Sequence, residues 1–193
     1  KKGKDIQADM VRNIIPPNVE CIFVRQSEQL GLGHAVLCAE RVVGNEPFAV
    51  LLADDFITLH KRGVTADLIN AFNLSQKNQL SVMEVLREDI SKYGVIIPKN
   101  DNMSVAGLVE KPSVDDAPSN IASIGRYILK PEIFDILHSQ TPGAGGEIQL
   151  SDAINLMAIQ NDVESVLLKG KRFDCGSVRG YLDAILHMAE KIQ

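Results

Sequence analysis

The stretch Phe48-Ala49-Val50-Leu51-Leu52-Ala53, followed at once by Asp54-Asp55, decides the fold class. A continuous apolar run of this length predicts a strand that is buried on both faces, as strands in α/β proteins are. In open α/β sheets, ligands gather at the carboxyl ends of strands, where this pair of carboxylates stands. Short apolar runs and amphipathic stretches alternate along the rest of the chain, so the sequence predicts an α/β layer fold.

The same alternation gives a coarse map of the elements. Strands are predicted at 19–24, 48–53, 80–86, 93–97, 105–109, 121–129, 163–168 and 172–174. Helices are predicted at 33–43 and 64–76, from Pro131, along the apolar face of 148–158, and at 178–191. No internal repeat, low-complexity segment or long linker divides the chain. We therefore expect a single domain over residues 1–193.

Composition excludes several classes of protein. The chain has 193 residues, of which 45% are hydrophobic and 23% charged, and its net charge of −5 provides no basic stripe for nucleic acid. No apolar run approaches the ~20 residues that span a bilayer, and the basic N-terminus has no apolar stretch behind it, so neither membrane insertion nor a signal peptide is predicted. Three widely spaced cysteines (Cys21, Cys38 and Cys175) without a CxxC pair are typical of a reduced, cytoplasmic protein.

Two carboxylates follow predicted strands and are candidates for a metal site. Asp54 comes directly after the 48–53 run. Asp174 stands at the end of the short strand predicted at 172–174. Mg²⁺ prefers oxygen ligands and often bridges carboxylates and substrate phosphates. The alternative interpretation is that both are turn or helix-cap residues, a role that aspartate fills well. Asp55 and Asp116 are predicted to be solvated turn residues.

Two further motifs are weak by themselves. The bend Gly31-Leu32-Gly33-His34-Ala35 lets backbone N–H groups approach a ligand, but it matches neither a Walker loop nor GxGxxG, and a bare turn is the preferred interpretation. Glu110-Lys111-Pro112 places opposite charges at a strand end. Neighbours in a strand point to opposite faces, so these two side chains are not expected to pair with each other. The pair either binds hydroxyls and a phosphate or is a solvated strand end.

Taken together, the segments resemble one family. Their order and spacing are similar to those of the bacterial UTP–glucose-1-phosphate uridylyltransferases (UDP-glucose pyrophosphorylases) from about Val11 to the C-terminus. The matching segments are Arg25-Gln26, 31–39, 52–55, Tyr93-Gly94-Val95, 109–112, 145–150 and 173–177. The resemblance implies a nucleotide-diphospho-sugar transferase fold, a Rossmann-like mixed and mostly parallel sheet with helices on both faces.

The resemblance also implies roles for single residues. Gln26 would recognise uracil through its amide, and Gly31 would approach the base with its backbone. Asp54 and Asp174 would hold Mg²⁺ against the nucleotide phosphates. On the sugar side, Gly94 would contact the hexose, Glu110 its hydroxyls and Lys111 its phosphate, with Gly125 and Glu147 beside the sugar pocket.

The implied activity is uridylyl transfer from UTP to glucose 1-phosphate, with release of pyrophosphate and without a protein nucleophile. The implied protein is a cytoplasmic homo-oligomer, a dimer or tetramer. Two departures affect these expectations. The family's first strand and its glycine-rich triphosphate loop have no match in this sequence, so the chain by itself is expected to be inactive. Val178 also stands where the family commonly has a basic residue.

Two alternatives stay open. The chain could be a binding-only module, or it could belong to a related pyrophosphorylase that uses dTTP or ATP. Gln26 favours a pyrimidine with N3–H and O4, which uracil and thymine share.

Overall fold

The computed structural model describes residues 3–58, 62–100 and 103–191. Its strands are β1 (Phe48–Leu51), β2 (Asp55–Ile57), β3 (Asn78–Glu84), β4 (Gly94–Pro98), β5 (Val105–Glu110), β6 (Ile121–Leu129), β7 (Val163–Leu167) and β8 (Arg172–Asp174). Its α-helices are α1 (Asp5–Arg12), α2 (Leu32–Leu37), α3 (Glu40–Val43), α4 (Val64–Ser75), α5 (Ile133–Ser139), α6 (Leu150–Ile159) and α7 (Val178–Glu190), and short 3₁₀ turns cover Arg87–Lys92 and Ala144–Gly146.

Six strands form the central sheet, in the order β5-β4-β6-β3-β7, with β1 also paired to β6. Strand β6 is antiparallel to β1, β3 and β4, whereas β3 and β7 are parallel. It follows that β1, β3, β4 and β7 share one direction and that β5 and β6 run against them. The predicted α/β class with a mixed sheet is confirmed. Its mostly parallel character holds in that four of its six strands point the same way, whereas β3 and β7 are the only neighbours that pair in parallel within the described residues.

Helices cover both faces of the sheet, as expected. On one face, helices α2, α5 and α6 pack over the larger core, whose sheet side chains include Leu80, Ile96 and Leu129. On the other face, Leu68 and Phe72 of α4 pack against Ile128. The 64–76 stretch forms a helix because its apolar residues recur at helical spacing and so reach the sheet along one stripe.

Two predicted strands differ in the structure. Residues 19–24 form no strand, and Phe23 there is 95% exposed, because no described strand lies beside this segment to pair with its backbone. Strand β1 is not buried on both faces: Ala49 and Leu51 are exposed while Phe48 and Val50 are half-buried. The prediction from the continuous apolar run therefore overestimated how deeply β1 is buried.

A second, two-stranded sheet lies beside the first. Strands β2 and β8 are antiparallel and place Asp55 opposite Asp174. Helix α7 follows directly, and its N-cap residue Ser177 accepts a hydrogen bond from the Gly180 N–H at 3.0 Å. None of the helices in the described part of the chain is both long and apolar enough to cross a membrane.

Candidate active site

The candidate site is a gap along one edge of β6. Strand β1 pairs with β6 from Arg126 onward, and β4 pairs with it only at Ala122. Because β3 occupies the other edge of β6, the carboxyl end of β1 and the amino end of β4 face each other across residues 123–125, beside which no described strand lies on this edge. A cavity of about 320 Å³ opens at this gap.

Six of the nine predicted site residues line this cavity: Asp54, Gly94, Glu110, Lys111, Gly125 and Asp174. The other three lie outside its lining. Gln26 and Gly31 belong to the loop before α2 and to its first turn, whose Leu32 reaches the cavity. Glu147 is exposed and accepts a hydrogen bond from Gln149 Nε2 at 3.0 Å.

Asp54 and Asp174 converge over Gly176. Asp54 Oδ2 and Asp174 Oδ1 each lie 3.1 Å from the position that a Cβ at Gly176 would take, so the two oxygens are at most twice that distance apart. The Cys175 N–H donates to the Asp54 carbonyl at 2.8 Å, which ties the two segments together. Within the described ranges, no three His, Cys, Asp or Glu side chains gather as a metal cage. Two carboxylates above a small residue nevertheless fit Mg²⁺, which commonly takes its remaining ligands from water and substrate phosphates.

Asp55 is not a solvated turn residue, contrary to the prediction. It is only 4% exposed, and its carboxylate accepts from the Gly125 N–H at 2.6 Å and from the Arg172 guanidinium. Arg126 adds a brace from β6, donating to the Leu52 carbonyl at 2.9 Å and the Asp55 carbonyl at 2.6 Å. In the sequence, Asp54 and Asp55 both follow the same apolar run. This position does not reveal which of the two carboxylates is buried. Asp116 is exposed, as predicted, and accepts from Ser113 Oγ at 2.6 Å.

Glu110 and Lys111 pair with each other, although alternation along a strand predicted otherwise. Strand β5 ends at Glu110, and Lys111 turns into the left-handed region with φ 44°. This change of direction brings Lys111 Nζ to 3.7 Å from Glu110 Oε1. Glu110 Oε2 lies 3.1 Å from where a Cβ at Gly94 would be, so a side chain at that position would press on the carboxylate. The Glu110 carboxylate, the Lys111 ammonium and the half-buried backbone of Gly94 thus meet at one wall of the cavity.

The two glycine-rich segments pack against each other. The Gly33 N–H donates to the Ile148 carbonyl at 2.8 Å, and the Ile148 N–H donates to the Leu30 carbonyl at 2.7 Å. A Cβ at Gly31 would lie 2.8 Å from the Ile148 oxygen, and one at Gly33 would lie 2.7 Å from the same atom. Both positions therefore require glycine because of this close approach. The 31–35 bend is thus a turn that also packs against the backbone of Ile148.

Gln26 is engaged within the same loop. Its Nε2 donates to the Gly31 carbonyl at 3.0 Å and lies 2.9 Å from His34 Nδ1. With the amide NH₂ as donor, His34 Nδ1 is the acceptor and the imidazole proton sits on Nε2. Gln26 is thus held beside the backbone of Gly31, the residue with which the resemblance groups it.

Sequence reasoning missed several polar residues of the cavity wall, of which Tyr93, Arg172 and Ser151 are examples. Tyr93 and Arg172 meet where the Arg172 guanidinium donates to the Tyr93 hydroxyl at 2.9 Å. The hydroxyl of Ser151, at the start of α6, is buried and has no hydrogen-bond partner within the described part of the chain. No spacing pattern marks these side chains, because each reaches the cavity from a different element.

Tyr127, which lines the cavity, makes the free energy of unfolding fall at alkaline pH. Burial raises the pKa of its hydroxyl to about 12. An unfolded tyrosine ionises near pH ~10, so this contribution is fully present below ~10 and is lost as pH rises to ~12, at most about 2.7 kcal/mol. We expect the difference in unfolding free energy between the unaltered chain and Tyr127→Phe to shrink over this range. Urea unfolding at two pH values, below and within it, measures this. A constant difference would contradict the prediction.

The site is a gap in a mixed sheet with two carboxylates on one side and a Glu–Lys pair on the other, groups that can hold a divalent cation and a phosphate. The chain belongs to the nucleotidyl transferase family, whose sequence model matches residues 3–191. The predicted resemblance is confirmed by individual relatives. The chain is 42% identical to the UTP–glucose-1-phosphate uridylyltransferase of Haemophilus ducreyi, with 96% of the chain and 66% of the relative covered. It is 45% identical to that of Pseudomonas aeruginosa, with 86% and 61% covered.

Solved structures agree with this placement. A UDP-glucose pyrophosphorylase complexed with UDP-glucose superposes with a TM-score of 0.88 at 41% identity, covering 99% of this chain and 74% of that one. A UTP-bound relative from Acinetobacter baumannii gives 0.83 at 39% identity, covering 96% and 66%. The chain spans between 61% and 66% of the length of the two curated relatives above.

Proposed function

We propose that the protein transfers a uridylyl group from UTP to glucose 1-phosphate, giving UDP-glucose and pyrophosphate. One observation carries the proposal. Asp54 and Asp174 converge at one side of a cavity whose opposite wall is formed by Glu110 and Lys111. In this proposal, the two aspartates would hold the nucleotide phosphates, and Glu110 and Lys111 would hold the sugar phosphate across the cavity from them. The relatives named above, at 42% and 45% identity, carry the same activity in their names.

The chemistry needs two anions to meet. An oxygen of glucose 1-phosphate attacks the α-phosphorus of UTP, a new P–O bond forms, and the bond to the β-phosphate breaks as pyrophosphate leaves. Lys111, with its exposed ammonium, would neutralise the sugar phosphate, while Glu110 would accept hydrogen bonds from hexose hydroxyls. Positioning and charge neutralisation then supply most of the catalysis. Mg²⁺, held by Asp54 and Asp174, would neutralise the nucleotide phosphates.

Base recognition would involve Gln26 and Gly31. Both donors of the Gln26 amide point to partners in the chain, Gly31 and His34. Donation to uracil O4 would therefore replace one of these hydrogen bonds, while Gln26 Oε1 accepts from N3–H. Thymine presents the same edge, so the dTTP alternative is tested by competition between UTP and dTTP for turnover. Gly94, Gly125 and Glu147 are proposed to lie along the hexose, the first two within the cavity lining.

Turnover and binding together test the proposal. We expect the protein that contains this chain to release pyrophosphate from UTP only when glucose 1-phosphate and Mg²⁺ are present. Calorimetry should detect binding of UDP-glucose to the chain itself. Binding of UDP-glucose without turnover would favour the binding-only module, and the absence of both would refute the proposal.

Glu110→Gln tests the sugar side. The amide keeps the size of the side chain but removes the charge that strengthens its hydrogen bonds with hydroxyls. We expect the affinity for UDP-glucose to fall by roughly 1–3 kcal/mol, measured by calorimetry. Glu132→Gln, a change of the same kind at the start of α5 and away from the cavity, is the matched control. Equal affinities for Glu110→Gln and the unaltered chain would contradict the hydroxyl-binding role.

We also propose a cytoplasmic homo-oligomer, a dimer or tetramer. All three cysteines are unpaired, which supports a reducing compartment. Helix α7 exposes apolar side chains, Val178, Tyr181 and Leu186 among them, which an interface between copies would bury. Sedimentation equilibrium measures the assembly directly.

A further inference from the structure

Asp55 and Arg172 form a buried ion pair that the proposed reaction does not use. Asp55 is 4% exposed, and the side chain of Arg172 is 12% exposed. Burial by itself would lower the pKa of the Arg172 guanidinium, but the charges of Asp55, Tyr93 and Asp174 and the hydrogen bond to Asp55 together raise it above its usual value. Burying two charges is costly unless the geometry is good and the remaining donors and acceptors are satisfied. Stability alone therefore does not explain why this ion pair is buried.

The pair is satisfied from two further elements. The Gly125 N–H of β6 donates to Asp55 Oδ2 at 2.6 Å. Arg172 donates to the Tyr93 hydroxyl at 2.9 Å and lies over the Tyr93 ring, 5.2 Å from its centroid. The network thus joins the segment after β1, the middle of β6, the start of β4 and strand β8.

The network also fixes the two carboxylates of the candidate metal site. Asp54 precedes Asp55 in the chain, and Asp55 lies opposite Asp174 in the β2–β8 register. Arg172 is two residues from Asp174 on the same strand, so its side chain and that of Asp174 project from the same face. The Cys175 N–H then reaches the Asp54 carbonyl. Any movement of Asp55 relative to Arg172 would change the separation of Asp54 and Asp174.

We propose that Asp55 and Arg172 are positioning residues that hold Asp54 and Asp174 together for a divalent cation. The inference rests on the proposed function only for the identity of the nucleotide that the cation accompanies. Asparagine cannot replace Asp55 in this role. If its single oxygen accepts from Arg172, its NH₂ faces the Gly125 N–H, and in the opposite orientation its NH₂ faces the guanidinium.

The test uses Mn²⁺ as the probe, because it takes oxygen ligands and its free form is measured by electron paramagnetic resonance. We expect Asp55→Asn to lower the affinity for Mn²⁺, with UDP-glucose present, at least tenfold. Arg172→Lys keeps the charge but not the contact with both Asp55 and Tyr93, and we expect a threefold or greater loss. Asp162→Asn removes a half-buried ion pair with Lys130, 2.7 Å long and remote from the cavity, and serves as the matched control with unchanged affinity.

Circular dichroism and urea unfolding separate positioning from folding. A folded Asp55→Asn chain that binds Mn²⁺ as the unaltered chain does would overturn the proposal. If Asp55→Asn does not fold, Arg172→Lys decides, and unchanged Mn²⁺ affinity there overturns it as well. So does an unaltered chain that binds no Mn²⁺. If the unaltered chain binds Mn²⁺ but not UDP-glucose, and the variants lose Mn²⁺, the proposed function fails while the positioning role stands.

Discussion

Asp174→Asn is expected to lower uridylyl transfer by the protein that contains this chain about 10²–10³-fold, the range for losing one preorganised group that stabilises developing charge. Asparagine retains the oxygen that accepts from the Gly176 N–H at 3.1 Å, so the turn before α7 is kept and only the negative charge is lost. A neutral amide is a poorer ligand for a hard cation than a carboxylate. Pyrophosphate release at saturating substrates and varied Mg²⁺ measures the effect.

The matched control is Asp116→Asn, a change of the same kind in an exposed turn, which should leave the rate unchanged. Part of the loss in Asp174→Asn should be recovered at high Mg²⁺ if the defect is in holding the cation. A rate within twofold of the unaltered protein would show that Asp174 is a turn residue only, the alternative that its position in the sequence leaves open.

Gly180→Ala is expected to destabilise the fold by roughly 2–3 kcal/mol, toward the upper end of the range for overpacking. In an ordinary helix this substitution stabilises by ~1 kcal/mol, so the sign here is reversed. A Cβ at Gly180 would overlap the carbonyl oxygen of Asp174 and would lie 2.8 Å from its carbon and 3.0 Å from Ser177 Oγ. Two of these atoms belong to the backbone, which cannot swing away, so the first turn of α7 must shift. Urea unfolding measures the change.

Ser177→Ala separates the loss of the helix cap from the clash. It removes the oxygen that accepts from the Gly180 N–H and should cost about 1 kcal/mol, less than Gly180→Ala. Gly180→Ala equal to or more stable than the unaltered chain would mean that α7 sits farther from Asp174 than the structure places it.

Most of the fold could be predicted because its elements carry local signals. Helix α4 has apolar residues at helical spacing, and β6 has an uninterrupted strand pattern bounded by polar loops. The 19–24 segment has the same local signal as a strand, yet forms none. A strand depends on a neighbour that supplies hydrogen bonds, and composition within a segment does not reveal whether that neighbour is there.

The candidate site divides in the same way. Asp54 and Asp174 are predicted as candidates because one stands just after a strand and the other at the end of one, which is a local feature. The burial of Asp55 is not predicted, since its partners Gly125 and Arg172 lie 70 and 117 residues away in the chain. The Glu110–Lys111 pair depends on one positive φ angle at Lys111, which the neighbouring Pro112 does not by itself impose. Local sequence patterns do not predict contacts that join distant segments or that depend on a single backbone dihedral angle.

The width of the cavity opening is set by the positions at which β1 and β4 pair with β6. The two sides of the opening, β1 and β4, are both fastened to β6, at Arg126 and at Ala122. These anchors are four positions apart in an extended chain, which corresponds to about 13 Å. The sides cannot move apart without breaking backbone hydrogen bonds, so β6 acts as a fixed spacer whose length does not depend on any side chain. Surface substitutions should therefore leave the size of ligand that the opening admits unchanged, whereas a two-residue insertion in β6 would widen the opening while keeping every side chain on its own face.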